Sequence, residues 1–297
     1  MIYDEEKDRP AKAQSSNLNE ELGMVSYIFS DKTGTLTQNV MEFKKFSVGY
    51  YSYGESNPDP NKQKYETGVT NVNFYDAEFY NEWPNASTDN YDNIVDYINI
   101  LAICHTIIVE VKDGIPVYNA SSPDELALTN AARHFGVIFE NRDENSNVIV
   151  YNKHTKERKL YQLMNVIEFT STRKRMSVIV KSPDGKLICM TKGADSVIIP
   201  RLHPGQDKLV KATLDFIDEF ANEGLRTLLV AQKEIDPEFY KNWNKKYQET
   251  LVSLSPDREK QINDHAELIE KDFRLVGSTA IEDKLQEEVG EVIHYIK

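Results

Sequence analysis

One stretch, Ser30-Asp31-Lys32-Thr33-Gly34-Thr35-Leu36-Thr37-Gln38, constrains this chain more than any other. It follows a short apolar run, Val25 to Phe29, which reads as a buried strand entering a tight turn. A carboxylate at the end of such a strand, followed by a lysine, threonines and a glycine, is suited to hold a phosphoryl group. Asp31 can attack phosphorus, as the nucleophile of an aspartyl-phosphate enzyme does. Lys32 brings positive charge, Gly34 lets backbone approach phosphate oxygens, and the threonine hydroxyls can donate to them. As a bare four-residue turn, Asp31 to Gly34 is also simply rich in turn formers.

Asp31 to Thr37 as a whole, Asp-Lys-Thr-Gly-Thr-Leu-Thr, resembles the phosphorylation motif of the P-type ATPases. The flanks, Asn19-Glu20-Glu21-Leu22-Gly23 before it and Gln38-Asn39-Val40-Met41-Glu42-Phe43 after it, are similar to the type IV branch, the phospholipid flippases.

The remaining composition fits a globular protein. Of 297 residues, 40% are hydrophobic and 28% charged, enough for one large domain or two ordinary ones with a proper core. A net charge of −13 argues against a nucleic-acid partner and against adhesion to anionic headgroups. Cys104 and Cys189 are the only cysteines, too few for a disulfide framework or a zinc cluster, which favours a reducing compartment. No apolar run approaches the roughly 20 residues that span a bilayer. The resemblance therefore implies that this sequence is the cytosolic portion of an integral membrane protein, beginning past a membrane helix and stopping inside the catalytic region.

Taken in order, residues 1–24 are polar and read as a stalk or connector. Residues 25–47 read as the first segment of a phosphorylation domain and 48–281 as a nucleotide-binding domain. Within that, 50–93 reads as a variable, loop-rich, solvated insertion. Residues 282–297 read as the start of the second phosphorylation segment. Apolar spacing predicts a helix over 92–105, and Ser122-Pro123-Asp124-Glu125 opens another that stops at Gly136. Strands are expected over 161–169, 175–181, 187–191, 227–231 and 275–281, with a helix from Leu209 to Phe220 and charged helical sequence over 236–272. The expected class is α+β: an antiparallel sheet with flanking helices, inserted into a second domain represented by its two ends. The resemblance implies that this second domain is an incomplete haloacid dehalogenase-like α/β domain.

Four positions in the insertion are candidates for holding a nucleotide, and each has a plain structural account. A Ser-x-x-Glu capping box explains Glu125 by itself; the functional reading is a carboxylate accepting from an adenine amino group. Phe169, at a strand end, is either core or a face on which a purine stacks. Arg173-Lys174-Arg175 follows it, either a solvated charge run or guanidinium groups near phosphates. Lys192 before Gly193 is either a surface residue or the border of a site where Gly193 lets the ligand approach backbone. Arg226 either answers a helix dipole or contacts the ligand.

These positions match the flippase nucleotide-binding domain in order: Ser122-Pro123-Asp124-Glu125, Glu168-Phe169 through Met176-Ser177, Lys192-Gly193-Ala194-Asp195 and Gly224-Leu225-Arg226. Ala280 to Gln286 resembles the hinge returning to the phosphorylation domain. The resemblance implies ATP bound at Glu125, Phe169, Ser171, Lys192 and Arg226, with its γ-phosphate passed to Asp31. It also implies Mg²⁺ held by the Asp31 carboxylate and the Thr33 carbonyl, with Lys32, Thr33 and Thr35 completing the catalytic loop. For the full-length protein the resemblance further implies a phospholipid substrate and an accessory β-subunit. Two alternatives stand beside this one: a soluble haloacid dehalogenase-like phosphatase, and a stand-alone ATP-binding module. Thr33 weighs against the phosphatase, which needs a proton-transferring Asp at that position.

Overall fold

A computed structural model describes residues 3–4, 8–10, 23–55, 68–112 and 115–296. The 19–22 flank and most of the expected 1–24 connector lie outside the described residues. By contact density the chain forms two units, one of residues 39–284 and the other of residues 1–38 with 285–297.

The larger unit is built on a mostly antiparallel sheet, nine-stranded among the described residues. In chain order its strands are β1 (Thr37–Val48), β2 (Tyr51–Tyr53), β5 (Val137–Arg142), β6 (Val148–Asn152), β7 (Glu157–Ile167), β8 (Arg175–Lys181), β9 (Leu187–Gly193), β10 (Arg226–Ile235) and β11 (Arg274–Leu285). They lie side by side as β2-β1-β11-β10-β9-β8-β7-β6-β5. A separate hairpin pairs β3 (Ile108–Lys112) with β4 (Ile115–Asn119).

Both faces of the central strands are covered, which explains why β8 is buried at six consecutive positions rather than at alternate ones. Val178 and Val180 point into one core with Met190, Val230 and Val276. Ile179 points into the other, with Cys189, Leu229, Ala231 and Leu275. The period of two along each strand thus deals successive side chains to opposite cores.

The first core is aromatic. Phe43 and Phe46 of β1 meet Phe74, Phe79, Tyr97 and Phe135, with the Phe46 and Tyr97 rings stacked at 4.9 Å. Phe74 and Phe79 come from the segment expected to be a solvated insertion. The segment is loop-rich as expected, but it is not solvated throughout: Phe79 sits buried in helix α1 (Ala77–Glu82), capped by Asp76, and buried Trp83 donates to the Phe135 carbonyl at 2.7 Å. A Tyr- and Asn-rich composition hid three buried aromatics spaced too irregularly to show a period.

Helices α2 (Tyr91–Ile103) and α3 (Pro123–His134) pack on this face. The second core is closed by α4 (Asp207–Asn222), α5 (Pro237–Leu251) and α6 (Arg258–Ile269), with Ile217, Trp243, Tyr247 and Ile269 turned inward. Glycine is required at Gly277 of β11, where a Cβ would lie 1.9 Å from the Ser47 carbonyl oxygen.

The smaller unit departs from expectation at its apolar run. Residues 25–30 form no strand, and Phe29 is 95% exposed. A strand needs a ladder partner, and among the described residues none pairs with this run. An α7 helix (Val289–Ile296) completes that unit.

Candidate functional site

The larger unit gathers four charged groups around the start of α3. Ser122 caps that helix, its Oγ accepting from the Glu125 N–H at 3.5 Å, and Pro123 occupies the first turn. The Glu125 side chain does not return to the cap. Its Oε2 accepts from the Thr106 N–H at 3.1 Å and the Thr106 hydroxyl at 2.8 Å, while Oε1 lies 3.6 Å from Lys192 Nζ. The capping box therefore accounts for the helix start but not for where the carboxylate points.

Lys192, on β9, is only 5% exposed, which removes the surface reading. Its Nζ has an ion-pair neighbour but no hydrogen-bond partner among the described residues. A buried ammonium with open donor capacity is costly unless an acceptor reaches it.

Beneath this pair lies a polar support that sequence reasoning missed. His105 is fully buried, and burial together with the Lys192 and Arg142 charges holds its pKa well below the ordinary value, so the ring is neutral. Its Nδ1 accepts from the Ile107 N–H at 3.2 Å, and Nε2 bonds the Ala102 carbonyl at 2.9 Å. Arg142 donates to the carbonyls of Ile107 and His105, both at 2.8 Å. The 105–107 backbone, and so the Thr106 donors, are fixed from both sides. Thr106 stands 19 positions from Glu125, and no local pattern links them.

Asp124 faces the other way along the same turn. Its Oδ2 lies 3.2 Å from Arg226 Nη2, and Oδ1 has no partner among the described residues. Burial raises its pKa; Arg226 and Lys192 pull it down, and Asp283 and Glu125 push it further up. Arg226 opens β10, half-exposed, with Nη1 3.8 Å from Met41 Sδ. It follows the C-cap of α4, Glu223, by three residues, and its ion pair is with Asp124.

Phe169 is 60% exposed on the turn between β7 and β8, so it is not a core residue. Ser171 is exposed on the same turn. The turn is tied to the Lys192 strand: Arg175 pairs with Gly193 across the β8–β9 ladder, and the Ala194 N–H donates to the Lys174 carbonyl at 3.0 Å.

Two sequence expectations are corrected on this turn. Arg173 and Arg175 are buried and both pair with Glu270, so neither belongs to a solvated charge run; Arg173 keeps Nε and Nη1 without a hydrogen-bond partner among the described residues. Gly193 makes room for protein: a Cβ there would lie 2.5 Å from Arg175 Cβ and 2.8 Å from the Lys174 oxygen.

The phosphorylation-motif residues belong to the smaller unit. Asp31, Lys32, Thr33 and Thr35 are all exposed. The loop is closed by the buried Thr37, whose hydroxyl accepts from the Gly34 N–H at 3.2 Å and reaches the Lys32 carbonyl at 3.4 Å. The Asp31 carboxylate and Thr33 carbonyl are hard oxygen donors of the kind magnesium takes. Among the described residues no cluster of three or more His, Cys, Asp or Glu side chains is placed to hold a metal. Nor is any helix among them long and apolar enough to cross a membrane.

The larger unit is thus a sheet with helices on both faces that gathers Glu125, Lys192, Asp124 and Arg226 at the start of α3 and exposes Phe169 on the β7–β8 turn. Residues 93–288 match the family model described as P-type ATPase, cytoplasmic domain N, and the chain belongs to that family. Its relatives are phospholipid-transporting ATPases, the branch that the flanking motifs resemble. It is 42% identical over 298 residues to phospholipid-transporting ATPase DRS2 of Saccharomyces cerevisiae, an alignment covering 100% of this chain and 22% of that protein. It is 42% identical over 300 residues to phospholipid-transporting ATPase IC of Homo sapiens, covering 99% of the chain and 24% of the relative. For phospholipid-transporting ATPase 10 of Arabidopsis thaliana the identity is 41% over 321 residues, with 98% and 26% covered. The chain thus spans about a quarter of the length of the curated relatives it matches.

Proposed function

We propose that this chain is the nucleotide-binding and phosphate-accepting part of an ATP-driven phospholipid translocase. The observation that carries the nucleotide reading is the buried Lys192 ammonium, 3.6 Å from Glu125 and without a hydrogen-bond acceptor among the described residues, next to a turn that exposes Phe169. Adenine stacks on the Phe169 ring, a contact worth about 1–3 kcal/mol in base-stacking proteins. Glu125 Oε1 accepts from the exocyclic amine while Thr106 holds Oε2. Lys192 borders the nucleotide, and Ser171 and Arg226 bind at its edges.

Asp31 is the phosphoryl acceptor. Phosphoryl transfer depends on in-line placement and charge neutralisation, roles for which the exposed loop carries Lys32, the Thr33 carbonyl and the Thr35 hydroxyl next to Asp31 in sequence. Magnesium, when bound by Asp31 and Thr33, supplies that neutralisation. In the whole protein this unit works on the cytosolic side of the membrane that holds the phospholipid substrate, with an accessory β-subunit as partner.

A calorimetric ATP titration of this chain beside its Phe169→Ala variant tests the reading. Binding that the substitution weakens about tenfold or more supports adenine on that ring. Binding indifferent to Phe169, or none at millimolar ATP with a folded protein, overturns it.

A further inference from the structure

Glu270 is the residue after α6 and is completely buried. Both carboxylate oxygens are saturated. Oε1 accepts from Arg173 Nη2 at 2.6 Å and Ser177 Oγ at 2.5 Å; Oε2 accepts from Arg175 Nε at 2.9 Å and Nη2 at 2.7 Å. Glu267, one turn earlier, takes a further bond from Arg175 at 2.7 Å. Burying a carboxylate and two guanidinium groups is a poor route to stability, since apolar side chains of similar volume do as well or better. What such a cluster fixes is geometry.

The geometry in question is that of the Phe169 turn. Arg173 and Arg175 flank Lys174, a non-glycine residue held at φ +51°. Such a backbone persists only where its surroundings over-determine it. The turn closes through Lys174 N–H to the Thr170 carbonyl at 2.8 Å and Arg173 N–H to Thr170 Oγ1 at 3.2 Å. From the same Lys174, the carbonyl accepts from Ala194 N–H, two residues past Lys192. Ser177 extends the cluster to Thr191, its Oγ 2.9 Å from the Thr191 hydroxyl beside Lys192. One buried carboxylate therefore anchors both the turn that shows Phe169 and the strand that carries Lys192.

We propose that Glu270 is a positioning residue for nucleotide binding: through Arg173 and Arg175 it holds the Phe169 ring at a fixed offset from Lys192. It does not touch the ligand. The inference rests on the nucleotide reading of this site.

A double-mutant cycle tests it, with ATP affinity measured calorimetrically for the 297-residue chain, Glu270→Gln, Phe169→Ala and the double variant. Thermal unfolding verifies that each is folded. Glu270→Gln is expected to weaken ATP binding about tenfold when Phe169 is present and to have no further effect when it is absent, because misplacing a binding group already removed costs nothing. Equal weakening in both backgrounds would mean general loosening, and unchanged affinity would mean that the offset needs no such anchor; either overturns the proposal. If Glu270→Gln does not fold, Arg173→Met takes its place in the same cycle, since it cuts the arm to the turn and leaves Arg175 on Glu270. Phe169→Ala without effect on its own removes the nucleotide reading and the proposal together, and so is distinct from a failure of Glu270 alone.

Discussion

Glu125 reaches Lys192 with one oxygen and Thr106 with the other, so the acid keeps two hydrogen bonds without the lysine, while the lysine, even with the acid, has no hydrogen bond among the described residues. The two halves of this pair are not equivalent, and substitution separates them. Glu125→Gln strands a buried ammonium and is expected to lower stability by about 3 kcal/mol. Lys192→Met leaves a carboxylate still bonded by Thr106 and is expected to cost less than about 1 kcal/mol, or nothing. Urea unfolding of the two variants measures the difference, while ATP titration should show both weakened about tenfold or more.

Asp124 gives stability a pH dependence of unusual sign for a carboxyl group. Its folded pKa is raised, chiefly by burial, so the folded state binds that proton more tightly than the unfolded chain does. The stabilisation is complete below the unfolded carboxyl pKa and is lost as pH rises through the raised folded value. Asp124→Asn removes this contribution. Compared with the parent chain, the variant should gain relative stability on going from acid to neutral pH, read as the difference in urea midpoints across that window.

Phe169 and Asp31 are predicted to be separable. Phe169 is mostly exposed, so Phe169→Ala should change unfolding free energy by no more than about 0.5 kcal/mol while weakening ATP binding. Asp31 belongs to the smaller unit and the residues assigned to the nucleotide to the larger. Asp31→Asn should leave ATP affinity within about twofold of the parent and abolish any acid-stable phosphate incorporation from labelled ATP. A large loss of affinity in Asp31→Asn would contradict the assignment of the two roles to different units.

Much of the sheet was legible because its strands and helix starts carry local signals. The 175–181 strand was expected with the bounds observed, and Ser122 and Pro123 announced α3. Ile98 to Val111 reads as a buried helix followed by a strand, as observed, but the returning strand 115–119 and the pair 137–142 with 148–152 were not expected. The site was legible only as a set of residue types. Nothing local reveals that Arg173 and Arg175 answer a carboxylate more than ninety positions away, or that Thr106 claims one oxygen of Glu125. A charged residue in sequence looks solvated by default, and burial by a distant partner is a property of the tertiary fold. The Val25–Phe29 run failed for a related reason: apolar composition predicts burial, but a strand exists only where a second strand supplies its hydrogen bonds.

Gly277 is the most closely packed of the described glycines. A Cβ added there meets the Ser47 carbonyl oxygen at 1.9 Å and the Ser47 carbonyl carbon at 2.9 Å, both of them backbone of the neighbouring β1. Flexible side-chain ends can move aside, but a strand in mid-sheet cannot do so without breaking its ladder. Next to this contact the Ser47 and Ser278 hydroxyls bond at 2.7 Å, and Tyr97 donates to the Ser278 carbonyl at 3.2 Å, so displacement would also cost those bonds. Gly277→Ala is expected to destabilise the unit by about 3 kcal/mol, the upper end for overpacking a core. Gly185→Ala, at a turn where nothing lies within 4 Å of the added carbon, should cost about 1 kcal/mol, the strain of its positive φ alone. Urea unfolding of the two variants compares steric and conformational cost directly, and equal losses would show that β1 and β11 separate more easily than their packing implies.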